Sequence, residues 1–349
     1  MLWAFCCENG YIGGAKAQAH MEAHMDIVLD FERPIVELTK RIEQLRELQA
    51  QNGVNLHASI EQLEVQSAKL QTRIFSNLSP WQRTQLSRHP KRPYTLDYVN
   101  QLFTEWTELH GDRAGHDDKA IITGFARFNG RPVAIMGHQK GRNTKENIVR
   151  NFGMARPEGY RKALRIMQLA NQYKMPVITF IDTPGAYPGI DAEERGQAEA
   201  IAKNILEMAR FEVPIIAIVI GEGGSGGALA IGVANRVLML ENSVYSVISP
   251  EGCAAILWRD RAEGPRAAEA LKITAADCQR LGVVDETIVE PYGGAHRHVS
   301  ETIDSVGDAI ERHLGALDSI EGTTLRQDRY DRFRKLGKME DSLKTTKEN

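Results

Sequence analysis

The chain is short of cysteine, of excess charge and of long apolar runs. Four cysteines, Cys6, Cys7, Cys253 and Cys278, are scattered over 349 residues with no C-x-x-C pair. A cysteine zinc site within this chain is therefore not expected, and a reducing, cytoplasmic setting is. Lys and Arg total 43 against 46 Asp and Glu, for a formal net charge of −3. No general basic field is present to attract nucleic acid. No apolar run reaches the roughly 18 residues of a membrane span. The opening Met1-Leu-Trp-Ala-Phe-Cys-Cys7 has neither the basic n-region nor the long apolar core of a secretory signal. Residues 1–25 read as an unstructured extension, with Met21 and Met25 as alternative starts. There is no internal repeat and no low-complexity tract. The phosphate-cradling pattern G-x-x-x-x-G-K-[ST] is missing too. Without it Asp182-Thr-Pro-Gly185, which looks like a GTPase switch, has no nucleotide to sense.

What is present is an ordinary globular composition, 42% hydrophobic and 26% charged, arranged around one stretch. Ile215 to Ile220 are all apolar, four Ile and one Val among them, which suits a strand buried on both faces. Five glycines come next in seven positions, Gly221, Gly223, Gly224, Gly226 and Gly227, and then Ala228-Leu-Ala-Ile231 reads as the first turn of a buried helix. A strand, a glycine turn and a helix start expose unpaired backbone N–H groups, the donors that hold an anion or a developing oxyanion.

Upstream, Ile35, Leu38, Ile42, Leu45 and Leu48 form a helical stripe, and Ile60, Leu63, Leu70 and Ile74 a second, with Gln51-Asn-Gly-Val54 between them. The spacing predicts an antiparallel helical pair, either a brace on the main domain or an arm for a partner. Arg88-His-Pro-Lys-Arg-Pro93 reads as a linker, and Thr95 or Asp97 as the cap of a helix running to about Leu109. Asn129-Gly130 between two apolar runs predicts a hairpin. From Pro157 onward helices and strands alternate: a helix from 157, a strand over 176–181, a helix over 196–210, the glycine strand, strands at 237–240 and 244–248, helices at 267–271 and 275–281, and an edge at 283–286. That alternation predicts an α/β fold with parallel strands. A last helix over 303–317 precedes a charged, exposed tail. The divisions are thus 26–94 for the helical pair and linker, 95–320 for the main domain and 321–349 for the tail.

Several motifs compete for the chemistry. Gly221-Glu-Gly-Gly-Ser-Gly226 matches the dinucleotide pattern G-x-G-x-x-G, with Glu241 where a ribose-binding acid is sought. Too few residues remain before the next strand for a normal crossover helix, and a purely structural turn is the other alternative. The loop Gly137 to Lys145, with Lys140 and Arg142, reads as an anion-binding rim or as a solvated cationic face. Ser249 and Cys253 lack a nucleophile elbow and a His partner, and His296 and His298 lack a nearby carboxylate or Cys pattern. No general base or nucleophile emerges, which suits chemistry done by stabilising oxyanions.

Gly137-His-Gln-Lys-Gly141, Asn151-Phe-Gly-Met154, Phe180-Ile-Asp-Thr-Pro-Gly-Ala-Tyr-Pro-Gly189, Glu193-Glu-Arg-Gly-Gln197, Gly221 to Gly227 and Tyr245 to Cys253 occur in that order. Together they closely resemble the alpha-subunit family of bacterial acetyl-CoA carboxylase carboxyltransferases, from about Asp30 to about Arg297. The resemblance implies a crotonase-like spiral of ββα units behind the N-terminal helical pair. It implies carboxyl transfer from carboxybiotin, on a biotinyl carrier protein, to acetyl-CoA, giving malonyl-CoA for fatty-acid synthesis. It implies a beta subunit that carries the zinc site and most of the acetyl-CoA site, an α2β2 assembly, and biotin carboxylase in the wider complex. On that basis the N–H groups of Gly226 and Gly227 face the biotin ureido oxygen, Gly223, Gly224 and Ser225 shape the turn, and Gly185, Ala186 and Tyr187 line the biotin site. A carboxyltransferase or decarboxylase for another acyl-CoA, such as propionyl-CoA, is the alternative.

Overall fold

The computed structural model describes residues 27–53 and 55–337. The expected extension over residues 1–25, and the end of the tail beyond residue 337, lie outside the described residues.

The glycine-bearing strand, Ile215–Gly224, is central in an eight-stranded sheet. Numbered along the chain, the strands are β1 (Thr104–Glu108), β2 (Ile121–Phe128), β3 (Arg131–His138), β4 (Val177–Thr183), β5 (Ile215–Gly224), β6 (Arg236–Leu240), β7 (Val244–Ser246) and β8 (Glu286–Ile288). Their order is β1-β2-β3-β4-β5-β6-β8, with β7 paired to the end of β5. The first three strands run antiparallel, and every pairing from β3 onward is parallel. Asn129 and Gly130 make the β2–β3 turn with φ of 48° and 79°, the two positive values that a tight hairpin demands.

Burial on both faces explains the unbroken apolar run of β5. Ile215, Ala217 and Val219 enter one core, and Ile216, Ile218 and Ile220 enter the other. The helices that cover these faces are part of one series: α1 (Arg33–Asn52), α2 (His57–Phe75), α3 (Pro80–Ser87), α4 (Thr95–Leu102), α5 (Thr144–Val149), α6 (Pro157–Gln172), α7 (Ile190–Glu194), α8 (Gln197–Arg210), α9 (Ser225–Leu229), α10 (Pro250–Trp258), α11 (Gly264–Leu271), α12 (Ala275–Arg280), α13 (Val299–Leu317) and α14 (Gly322–Arg334). The first core is closed by α6 and α8, through residues such as Met167 and Met208. The second is closed by α4 and α13, with Tyr98 stacked on Phe180 at 5.0 Å.

The helical pair stands as expected, α1 against α2, and Ile35 and Phe75 share a small core with Leu86 of α3. Other expectations change. The helix from Thr95 stops at Leu102, and Thr104–Glu108 forms β1 instead, because its alternating residues pair with β2. The supposed linker is interior: His89 and Arg92 are buried, and Arg92 pairs with Glu290 at 2.7 Å. The last edge lies at 286–288 rather than 283–286. Ser249-Pro-Glu-Gly-Cys253 starts a helix, α10, whose first turn Ser249 caps through the Gly252 N–H at 3.1 Å. The tail is not simply exposed, since α14 buries Leu325 and Arg329. Arg329 donates to the carbonyls of Met208, Phe211 and Val213 and to Asn235 Oδ1, at 2.7–2.9 Å.

Candidate functional site: a glycine turn on a bulged strand

The strand does not end where the glycines begin. β5 continues to Gly224, and Glu222, Gly223 and Gly224 pair with Val244, Tyr245 and Ser246 of β7. Between the pairs Ile181–Val219 and Thr183–Gly223, β4 advances two residues while β5 advances four. Such a bulge bends a strand and re-aims the chain beyond it. Directly after the strand comes Ser225, held at φ 51° in the left-handed region, and then the short α9. The sharp turn leaves the amides of Gly226 and Gly227 in the first turn of α9, where no residue one turn earlier can accept from them. With five residues, α9 adds little dipole, so any anion here would depend on individual N–H groups.

The turn packs backbone against backbone on the loop after β4. A Cβ on Gly224 would lie 2.2 Å from the Pro184 carbonyl oxygen, and one on Gly227 would lie 2.6 Å from the Gly185 carbonyl carbon and 2.7 Å from the Ala186 nitrogen. The fold therefore brings Gly185 and Ala186 together with Gly223, Gly224, Ser225, Gly226 and Gly227. Tyr187 is anchored beside them: its N–H donates to the Ala155 carbonyl at 3.0 Å, its carbonyl accepts from Gln197, and its ring lies under the Arg156 guanidinium at 4.6 Å. An apolar cavity of about 450 Å³ opens next to Ser225 and Gly226, walled by Leu229, Val237, Tyr245, Leu281, Val283 and Phe333.

Both loop cations are paired with acids of the fold itself. Lys140 is turned inward: its Nζ is 2.6 Å from Asp182 and 3.2 Å from Glu222. Burial alone would lower the Lys140 ammonium, but the two carboxylates outweigh it and raise it, so the charge is fixed. Arg142 pairs with Asp97, donates to the carbonyls of Pro90 and Arg92, and stacks over Tyr94 at 4.0 Å. Lys140 is neutralised by acids within the fold, whereas Arg142, its side chain 41% exposed, is paired with Asp97 at the surface.

Behind the turn the charges form a network that sequence reading missed. The Glu222 N–H donates to Asp182 Oδ1 at 3.0 Å. Its carboxylate takes Arg88 Nε at 2.6 Å, and Arg88 also forks onto Glu251 of α10 at 2.5 and 3.2 Å. Burial pushes the Glu222 carboxyl up, yet Lys140 and Arg88 hold it below its ordinary value. Arg92 reaches the bulge itself, donating to the Ile220 carbonyl at 3.1 Å. These partners are 40 to 163 positions apart, from Glu222–Asp182 to Arg88–Glu251, so no local pattern announces them. His138 is fully buried and pushed down to about 3, by burial first and then by Lys140, which keeps it neutral and out of acid–base work near pH 7.

His296 does have a carboxylate partner, which the sequence hid. Its Nε2 is 3.0 Å from Glu32 of the N-terminal segment, and its ring lies 4.2 Å from that of His89. Among the described residues these three are the one His–carboxylate group with metal-ligand spacing. Arg297 also donates to the same Glu32 oxygen, and the His89 Nε2 meets the Ile27 carbonyl at 2.9 Å. The group is a hydrogen-bonded clasp between the segment before α1 and the loop before α13. His298 meets only Glu301, three residues away.

Comparison with known proteins bears on the family and the fold. The family described as acetyl co-enzyme A carboxylase carboxyltransferase-like matches residues 28–337. Acetyl-coenzyme A carboxylase carboxyl transferase subunit alpha of Syntrophotalea carbinolica is 57% identical over 89% of this chain and 98% of its own length. The proteins of the same name from Synechococcus elongatus and a Geobacillus species are 57% and 56% identical, each over 95% of its own length. Among solved structures, transcarboxylase 12S with methylmalonyl-coenzyme A superposes with a TM-score of 0.52 at 22% identity, over 64% of this chain and 42% of that one. A Pseudomonas malonate decarboxylase hetero-tetramer in complex with coenzyme A gives 0.51 at 18% identity, over 62% and 88%. These likenesses carry the crotonase-like fold. The family match and the close relatives go further, and on them the chain belongs to the acetyl-CoA carboxylase carboxyltransferase alpha-subunit family.

Proposed function

We propose that this chain is the alpha subunit of a carboxyltransferase that moves a carboxyl group from carboxybiotin to acetyl-CoA, forming malonyl-CoA. The observation that carries the reading is the glycine turn of α9 pressed onto Gly185 and Ala186, in a chain 57% identical to named alpha subunits. Carboxybiotin supplies the activated carboxyl group, and losing it leaves charge on the ureido oxygen. The N–H groups of Gly226 and Gly227 are the donors that would meet that oxygen, each worth about 3–4 kcal/mol in the transition state. The fit rests on shape: bare backbone at Gly224 and Gly227 leaves no Cβ in the cradle. Gly223, Gly224 and Ser225 hold the turn, and Gly185, Ala186 and Tyr187 form the facing wall. Lys140 and Arg142 brace the fold and are not carboxylate ligands in this reading.

The acetyl-CoA site and a zinc site are assigned to a beta subunit, in an α2β2 assembly served by a biotinyl carrier protein and biotin carboxylase. The name "subunit alpha" of the close relatives and the hetero-tetrameric malonate decarboxylase among the structural neighbours support a partner subunit. The test is co-expression with the beta subunit and an assay of malonyl-CoA formed from acetyl-CoA and carboxybiotin. Formation dependent on both subunits is expected. A purified, correctly assembled complex that forms no malonyl-CoA would overturn the reading.

A further inference from the structure

We propose that Arg88 is a positioning residue for carboxyl transfer, clamping the bulged end of β5 so that the Gly226 and Gly227 amides converge on one point. The inference rests on the function proposed above.

Arg88 is the C-terminal cap of α3, outside the sheet, yet its guanidinium is the tie between β5 and α10. Nε bonds Glu222 at 2.6 Å while Nη1 and Nη2 fork onto the two Glu251 oxygens. The planar fork meets three carboxylate oxygens with three fixed donors, Nε on Glu222 and Nη1 and Nη2 on Glu251, where a lysine offers a single point charge. Glu222 in turn sits inside the bulge, one residue before Gly223, where β5 has gained residues relative to β4. A bulge lacks part of its ladder, so its direction depends on side-chain ties. Here those ties are Arg88 and Lys140 on the Glu222 carboxylate, Asp182 on the Glu222 N–H, and Arg92 on the Ile220 carbonyl. Lastly, the Arg88 side chain is 31% exposed and lies with Pro184, Gly223 and Gly224 at the edge of the turn. Its removal therefore does not open a deep core, unlike removal of Lys140, whose loss would leave the buried Asp182 without its cation. Both anions of Arg88 hold its charge, so it has none left over for a substrate carboxylate.

The experiment compares wild type, Arg88→Met and Arg88→Lys, each co-purified with the beta subunit. The reverse reaction is monitored with malonyl-CoA and free biotin, together with thermal melting and the pH profile. For Arg88→Met the expected result is a kcat lowered about 10- to 100-fold per assembled complex, within the range for one misaligned donor. The KM for malonyl-CoA stays within about twofold, and Arg88→Lys recovers part of the loss. The acid limb of the profile moves to higher pH, because Glu222 loses one of the two cations that lower it while Lys140, Asp182 and Glu251 remain. The proposal is overturned if kcat per assembled complex is unchanged and only the yield of folded protein falls. It is equally overturned if the KM for biotin rises with kcat intact, which would make Arg88 a substrate ligand. Absence of transfer in wild type refutes the proposed function instead, so the two failures are distinct.

Discussion

A single methyl group at Gly227 tests the site most sharply. Gly227→Ala places a Cβ 2.6 Å from the Gly185 carbonyl carbon and 2.7 Å from the Ala186 nitrogen. Both neighbours are main chain, so neither can rotate aside. Ordinary contact begins near 3.4 Å, and the turn and the facing loop must separate by about 0.8 Å to restore it. Overpacking of this kind costs about 1–3 kcal/mol of stability. The catalytic effect is larger, because misplacing a group by about 1 Å can cost on the order of 100-fold, and losing one oxyanion donor costs about 100- to 1,000-fold. The complex with the beta subunit is expected to assemble, to melt a few degrees lower, and to form malonyl-CoA at least 100-fold more slowly. Gly226→Ala supplies the comparison: its Cβ meets only Ile201, at 3.6 Å, and its N–H is retained, so its loss should be much the smaller. Transfer within threefold of wild type by Gly227→Ala, or a deeper loss from Gly226→Ala, would refute the role given to this turn.

The surrounding contacts have consequences of their own. Arg142→Ala should leave the KM for both substrates within about twofold while lowering the melting temperature, because its donors serve Asp97 and two backbone carbonyls; a KM rise of tenfold would restore it as a substrate ligand. Arg329→Met leaves four buried acceptors without their donor and should destabilise the chain by roughly 2–4 kcal/mol, read by urea unfolding. Acid should loosen the N-terminal helices first. His89 is pushed down to about 4 from its ordinary 6.5, by burial and then by His296, so its contribution is intact above pH 6.5 and is lost as pH falls through 4. Glu32, held low by His296 and Arg297 against the push of burial, acts with the same sign. The hydrogen-exchange protection of α1 and α2, corrected for the intrinsic rate at each pH, should fall across that window before that of β4 and β5; equal protection at pH 7.5 and 4 would contradict this.

Much of the fold was legible because its signals are local. A strand buried on both faces must be apolar at every position, which marked β5 and β4, and the Asn129-Gly130 turn marked the β2–β3 hairpin. The glycines were legible because only bare backbone permits the close approach at Gly224 and Gly227. The features that escaped notice depend on partners far away in sequence. Arg88 to Pro93 has the composition of a linker, and becomes interior only because Glu290, Glu222 and Glu251 supply counter-charges. The charged composition of residues 322–334 suggested solvent, yet Arg329 is buried by the carbonyls of the α8–β5 connection. Residues 104–108 lost their strand to a helix prediction because Thr95 and Asp97 start a genuine helix that simply stops early. Lys140 and Arg142 illustrate the remaining gap: a cationic loop reads alike whether its charges face a ligand or the fold's own acids.

The clasp of Glu32 with His296 and Arg297 joins positions 264 and 265 residues apart. During synthesis the two leading helices emerge long before the segment that receives them, and closing so wide a loop repays nothing until that segment arrives. A chain cut short before residue 296 would carry the leading helices packed on each other and on α3, but without this clasp. Ribosome-bound fragments of increasing length should show a further rise in protection of α1 and α2 once His296 and Arg297 have cleared the exit tunnel.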